Sequence, residues 1–399
     1  MVLTREDKQS GRALSMLGFG CMRFPTRLGT IDEKPARALI LRALDAGINY
    51  FDTAYIYHNG MSEGFLGKVL REENARDKVY VATKLPHYLV RTAKDIDKLF
   101  ETQLKRLQTG HIDYYLMHML QDEAGWKRLC ALGIEDWIEK KRRSGQIGQI
   151  GFSFHGNAQE FIKILNGYPW QFTQIQYNYL DENTQAGKGG LMAAAKKGIP
   201  VMCMEPLRGG RLVNQLPKEA VRLFESAGHT PADWALRWVW NHPEITVLLS
   251  GMSTMEQLEQ NLETAQTALP HALTSEQLQM FKTVRNLLHQ SIKVNCTGCG
   301  YCMPCPQGVD IPTCFALYNE QFTTMRSPRY KYIQATAAMS RNPSNASRCI
   351  GCGKCEKHCP QHLPIREKLR ETAAYMEKFP FKLVCSVGRQ FMGKKIAGK

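Results

Sequence analysis

Eight short apolar runs, each set off by helix-patterned or turn-rich sequence, constrain the fold of this chain more than any other feature. The runs lie at 15–19, 48–52, 79–83, 112–117, 147–152, 173–177, 199–204 and 245–250, and most are rich in Val, Ile, Phe or Tyr. Helical periodicity covers 35–46, 92–109, 133–144, 157–165, 190–197, 231–241 and 254–267. In the first helix Leu39, Ile40, Ala43 and Leu44 share a face that stops at Gly47. In the second, Ile96, Leu99, Leu104 and Leu107 share a face that stops at Gly110. Alternation of strand and helix predicts a parallel sheet covered by helices. Eight repeats, in the roughly 250 residues such a fold needs, predict closure into a (β/α)8 TIM barrel. A doubly wound open sheet is the alternative, and no Gly-x-Gly-x-x-Gly follows the first run to favour it.

The chain has 399 residues, so a segment of about a hundred residues follows the barrel. The expected domains are a barrel over 1–285, a cysteine-rich domain over 286–375 and a basic tail over 376–399, with 271–290 as a helix leading out of the barrel. Cysteine is as unevenly placed as the strands are regular. Of 13 cysteines only Cys21, Cys130 and Cys203 precede residue 290. Residues 291–399 hold 17 Lys/Arg against 6 Asp/Glu, which is +11 of the net +15. Clustered Cys-x-x-Cys steps in a chain without a secretion signal point to metal binding rather than a disulfide scaffold. The start, MVLTREDKQS, lacks the apolar core of a signal, and no apolar run reaches the roughly eighteen residues that span a bilayer, so a cytoplasmic protein is expected.

In a TIM barrel, polar residues at the C-terminal ends of strands are the candidates for chemistry. Asp52 closes NYFDTA, Lys84 closes VYVATK, and His118 closes DYYLMH; Tyr57 lies five residues beyond Asp52. Singly, each has an ordinary structural role as a cap, a solvated lysine or a packed histidine. Four at one face of one barrel are harder to dismiss.

The strings GINYFDTAYIYHNGMSE (47–63), VATKLP (81–86) and DYYLMH (113–118) resemble the aldo-keto reductase family over roughly residues 12–285. Asp52, Tyr57, Lys84 and His118 match its tetrad in order and spacing. The resemblance implies reduction of a small carbonyl substrate with NADPH or NADH, or the reverse. Tyr57 would donate the proton, Lys84 would lower its pKa from the usual value of about 10, Asp52 would hold Lys84, and His118 would orient the carbonyl.

The resemblance extends to the cofactor groove, with departures. In GFSFHG (151–156) Ser153 matches a serine that holds the nicotinamide amide, while Phe154 replaces the asparagine beside it and His155 is offered in its place. Gln176 matches the glutamine on the same amide. In CMEPLRGGRL (203–212) Pro206 and Leu207 match, but Met204 stands where an aromatic usually stacks on the ring. Asn261 matches an adenine contact. Gly251 and Gln257 occupy the places of the basic residues usual for the 2′-phosphate, which leaves Arg208 or Arg211 as substitutes.

The second cysteine cluster reads Cys349, Cys352, Cys355, Cys359, then Pro360, the spacing of the bacterial ferredoxin run. The first reads Cys296, Cys299, Cys302, Cys305, then Pro306, one residue shorter before its last cysteine, with Cys314 as a substitute ligand. Zinc also uses Cys-x2-Cys pairs, but it leaves the third cysteine of each run and the Cys-Pro ending unexplained. The segment resembles a two-[4Fe-4S] ferredoxin domain, in a mostly helical variant given sequence such as CFALYNEQF. With the usual exchange, the resemblance implies Cys296, Cys299, Cys302 and Cys359 on one cluster and Cys349, Cys352, Cys355 and Cys305 on the other. The remaining Cys21, Cys130, Cys203 and Cys385 read as packing residues.

The whole chain thus resembles aldo-keto reductases that carry a C-terminal ferredoxin domain. Nicotinamide delivers an electron pair while each cluster takes one electron, so coupling would need a converter such as a flavin, for which no clear motif is present. The alternative is an electron-transfer or docking subunit with a degenerate barrel. Basic charge would suit an acidic electron-carrier protein. It lies among cluster ligands rather than along a groove, which argues against nucleic acid.

Overall fold

The structure, a computed structural model, describes residues 2–296, 302–323, 329–336, 338, 343–359, 363–381 and 383–385. Cys299, Pro360 and residues 386–399 of the tail lie outside them. The chain divides into two compact units, Met1–Leu212 with His229–Leu278, and Val213–Gly228 with Gln279–Lys399.

In the first unit eight parallel strands close into a barrel in sequence order: β1 (Leu17–Gly20), β2 (Tyr50–Asp52), β3 (Tyr80–Leu85), β4 (Ile112–Leu120), β5 (Ile147–Phe154), β6 (Phe172–Gln176), β7 (Val201–Met204) and β8 (Ile245–Ser250). All eight expected runs are strands, with ends moved by a few residues. Register explains why the polar strand ends converge. Asp52 pairs with Ala82, and Lys84 pairs with Leu116. Side chains alternate along a strand while paired neighbours share a face. Asp52, Lys84 and, two residues beyond Leu116, His118 therefore share the face of Ala82 and Leu116. Those two belong to the buried interior cluster with Tyr50, Tyr114, Phe172 and Met202. Gly18 makes this packing fit, because a Cβ there would sit 2.7 Å from Val247 and 2.8 Å from Leu249.

Two elements carry no signal in the apolar pattern. Thr4–Asp7 and Arg12–Ser15 form an antiparallel hairpin. Leu14 joins the interior cluster, and Asp7 accepts hydrogen bonds from the Tyr114 hydroxyl at 2.7 Å and the Ser10 hydroxyl at 2.6 Å. The hairpin thus plugs the N-terminal mouth, leaving chemistry to the other end. Helix Ser62–Glu72 follows the loop after β2. Helix Ala93–Leu107 buries the expected face, but ends earlier than Gly110 suggested: Gln108 adopts the left-handed conformation (φ 54°) and caps it.

Every regular element among the described residues of the second unit is helical, including helices Ile311–Thr323, Arg329–Ala335 and Ile365–Met376, with irregular chain between them. Phe315, Tyr332, Ile365, Leu369, Met376 and Phe381 lie in its core. Glu377 accepts from the Tyr332 hydroxyl (2.8 Å), Asn345 Nδ2 (3.0 Å) and Ser347 N (3.1 Å). This tie fixes the backbone just ahead of Cys349, whose N–H donates to Ala346 O at 3.0 Å. Among the described residues no helix is long and apolar enough to cross a membrane.

Candidate active site

The Lys84 ammonium is buried at the C-terminal mouth of the barrel with three acceptors, Asp52 Oδ1 at 2.7 Å, Asp52 Oδ2 at 2.8 Å and Thr53 O at 2.7 Å. It stands 5.0 Å from the centroid of the Tyr57 ring. Burial opposes its charge, but Asp52 and Tyr57 together hold its pKa above the ordinary value. Burial pushes the Asp52 carboxyl up, with Lys84 pulling it back. Tyr57 differs from the sequence expectation. Burial raises its phenol above the usual value, and Lys84 offsets that only in part.

His118 stacks edge-on to Tyr57, with ring centroids 6.2 Å apart. It is 5% exposed, and its Nδ1 is buried without a hydrogen-bond partner. Burial first, then Lys84, His155 and His87, drives its pKa well below the ordinary value, so the imidazole is neutral. A neutral imidazole has one N–H to give and one lone pair to offer. Tyr88, which the sequence did not single out, has its ring centroid 6.2 Å from that of His118 and is 45% exposed.

A second buried layer, which no sequence feature set apart, holds these groups. Glu63 is fully buried and accepts from Thr83 Oγ1 (2.7 Å), Gln103 Nε2 (2.6 Å) and Arg106 Nη1 (3.1 Å). Gln103 also donates to the Lys84 carbonyl (3.1 Å) and accepts from the Tyr115 hydroxyl (2.8 Å). Arg106 donates to the Tyr55 carbonyl (3.0 Å) and lies 4.2 Å from the Tyr55 ring centroid. The network therefore clamps the backbone on both sides of the pair, beside Lys84 and two residues before Tyr57.

The expected cofactor contacts ring the same mouth. Ser153 is buried, and its Oγ accepts from Met119 N at 2.8 Å, leaving its O–H free to donate. Gln176 is engaged within the protein: Nε2 donates to Asp181 (2.7 Å) and the carbonyl accepts from Gln185 (3.2 Å). Met204 and Leu207 are half-buried and Pro206 is buried. Asn261 is buried and donates to the Ser250 hydroxyl at 2.9 Å. Burial lowers His155 to about 4. Arg208, offered as a phosphate contact, is instead paired with the buried Asp181 at 3.0 Å. Gln257 serves helix Met255–Thr267, accepting from Ser253 N at 2.8 Å and donating its own N–H to Thr254 Oγ1.

In the second unit Cys296, Cys302, Cys305, Cys349, Cys355 and Cys359 are half-buried against the core, and Cys352 is exposed. Among the described residues no two cysteines form a disulfide. Among the described residues no three Cys, His, Asp or Glu side chains converge as a single metal ion would need. Cys349 and Cys355 feel each other electrostatically, and Arg366 feels both while pairing with Glu356 at 2.8 Å. Gly351 and Gly353 sit at φ 75° and 72°, wrapping the chain around Cys352. Cys314 is apart from this: its Sγ lies 3.7 Å from the Tyr332 hydroxyl in the core, and burial pushes its thiol up to about 12.

Residues 16–285 match the Aldo/keto reductase family, and residues 295–363 match the 4Fe-4S dicluster domain. Among curated relatives, the uncharacterized oxidoreductase YrpG of Bacillus subtilis is 28% identical over 305 residues, covering 65% of this chain and 90% of that protein. L-galactose dehydrogenase of Arabidopsis thaliana is 27% identical over 303 residues, covering 70% and 94%. Among solved structures, the holo form of aldo-keto reductase AKR11C1 from Bacillus halodurans superposes with a TM-score of 0.60 at 25% identity, covering 71% of this chain and 96% of that one.

Proposed function

This chain belongs to the aldo/keto reductase family and carries a C-terminal 4Fe-4S dicluster domain; from that premise we propose that it is an NAD(P)H-dependent oxidoreductase interconverting a small aldehyde or ketone and the alcohol. The observation that carries the reading is the buried Lys84–Asp52 ion pair set against Tyr57 and a neutral His118 at one barrel mouth.

A bound nicotinamide would supply the hydride. Ser153, Gln176, Met204, Pro206, Leu207 and Asn261 would hold it, with Gln176 releasing Gln185 to do so. Glycines at 209, 210 and 251 leave the adjoining loops without side chains, which fits a long flat ligand. His118 would donate its N–H to the substrate carbonyl and so draw charge onto its oxygen. Tyr57 would then hand its phenolic proton to that oxygen. Burial alone makes the phenol a poor acid; the Lys84 ammonium is what makes the transfer feasible. Asp52 keeps that ammonium charged and in place. Tyr88 would border the substrate.

Cys296, Cys299, Cys302 and Cys305 with Cys349, Cys352, Cys355 and Cys359 would hold two [4Fe-4S] clusters, which supply one-electron transfer. The excess of Lys and Arg over 291–399 suits an acidic electron carrier. The rival reading, a docking subunit with an inactive barrel, draws on the engagement of Gln176 with Asp181.

Tyr57→Phe tests the first reading. It should abolish carbonyl reduction while the visible cluster spectrum persists; retained turnover would sink the assigned proton donor. Anaerobic titration with NADPH and then NADH asks whether the units are coupled. Bleaching of the cluster absorbance by either nucleotide would mean an electron path and a converter such as flavin. Bleaching by dithionite alone would leave the clusters to an outside carrier or a structural role.

A further inference from the structure

The geometry points to Arg23, in the loop after β1, as the residue that binds a phosphate of the nicotinamide nucleotide, in place of the basic residues missing after β8. The assignment rests on the reading that the barrel binds such a nucleotide.

The loops after β7 and β8 both leave room for this one side chain. A Cβ at Gly251 would meet the Arg23 stem at 3.0 Å (Cγ), 3.1 Å (Cβ) and 3.3 Å (Cδ). A Cβ at Gly209 would lie 2.7 Å from Arg23 Nη2. The stem therefore runs along Gly251 and the guanidinium reaches Gly209, across the C-terminal mouth. Its base is held: the Ser253 hydroxyl donates to Arg23 O at 2.8 Å, and Phe24 N donates to His58 Nε2 at 3.2 Å.

Of the other candidates, Arg211 already has a partner and the rest are committed elsewhere or carry no charge. Arg208 is paired with Asp181, and Gln257 serves its own helix. Arg23 is exposed and makes no side-chain hydrogen bond or ion pair among the described residues. Glu205 Oε2 lies 3.8 Å from the same Gly209 Cβ position without pairing with Arg23. A guanidinium with five free N–H donors, placed over two glycine-lined loops, is suited to a phosphate, which it can grip with two parallel bonds.

The test is nucleotide binding to the full, cluster-loaded chain, read by quenching of tryptophan fluorescence on titration with NADPH and NADH. Arg23→Gln should raise Kd about 10- to 100-fold, the range of one charge-assisted hydrogen-bonded contact, and should flatten the salt dependence. Arg23→Lys should recover part of the affinity. Loss for both nucleotides would assign the phosphate to the diphosphate bridge; loss for NADPH alone would assign it to the 2′-phosphate. Equal Kd values for wild type and Arg23→Gln, with tight binding by both, would overturn the Arg23 assignment and leave the reductase reading standing. No binding of either nucleotide by the wild type would overturn both.

Discussion

Lys84 Nζ contacts both carboxylate oxygens of Asp52, at 2.7 and 2.8 Å, with the two side chains 1% and 4% exposed. Removing one partner of a buried pair strands the other's charge, which costs about 3–5 kcal/mol. Asp52→Ala should therefore destabilise the barrel by about that much. Asp52→Asn, which still offers Lys84 a carbonyl, should cost less while turnover falls at least about 100-fold. All six tryptophans lie in the first unit, so denaturant unfolding followed by their fluorescence reads the barrel alone. An Asp52→Ala barrel as stable as wild type would mean Lys84 escapes to solvent.

Glu63 is the hub behind that pair, and its role is positional. Glu63→Gln keeps the volume but puts an N–H₂ where one oxygen now accepts, facing Gln103 and Thr83 or Arg106. The expected cost is about 1–3 kcal/mol, with kcat reduced and the pH profile displaced because Lys84 and Tyr57 lose their fixed spacing. Glu63→Gln with wild-type stability and an unmoved pH profile would show that the network does not set the site.

These two cases mark what the sequence discloses. Asp52, Lys84 and His118 were legible because each ends an apolar strand, and pairing register then forces one face. Glu63, Gln103 and Arg106 were not, because on a helix a buried Glu or Gln reads the same as a solvated one. The N-terminal hairpin escaped because its sequence, TRED and RALS, buries only part of one face, and that by contact with the barrel interior. Arg208 was misread as a free cation because Asp181, which neutralises it, is 27 residues away. Arg23 was passed over because glycines at 209 and 251 give it its place, and a glycine records room without saying for what.

His118 and His155 give the barrel an acid sensitivity. Both pKa values lie below the ordinary histidine value of about 6.5, His155 at about 4, chiefly through burial. Between those values the unfolded chain binds more protons than the folded one, so stability falls as pH falls. It should be flat above about pH 7 and decline from about pH 6.5 toward pH 4, with His155 alone contributing about 2 kcal/mol by pH 5. His155→Gln should remove that share of the slope in tryptophan-monitored denaturation, the rest falling to His118 and to His58, His87 and His242, which burial also lowers. A barrel equally stable at pH 7.5 and 5 would mean that both rings are protonated where they stand.

Cys352 and Cys314 separate cluster ligation from packing. Cys352 is exposed between Gly351 and Gly353, so Cys352→Ser removes a thiolate at no cost to the core. If it is a ligand of one of two clusters, iron and sulfide should fall from about eight of each per chain to about four, or the spectrum should become that of a cluster with an altered ligand. Cys314 is fully buried, its thiol lies beside the Tyr332 hydroxyl and Ser344 O at 3.7 Å, and burial disfavours the thiolate that iron requires. Cys314→Ala should therefore lower stability by about 1 kcal/mol and leave the iron count alone. The opposite pattern, iron lost with Cys314→Ala and kept with Cys352→Ser, would move Cys314 into the ligand set and require the core around Tyr332 to open when the cluster is built.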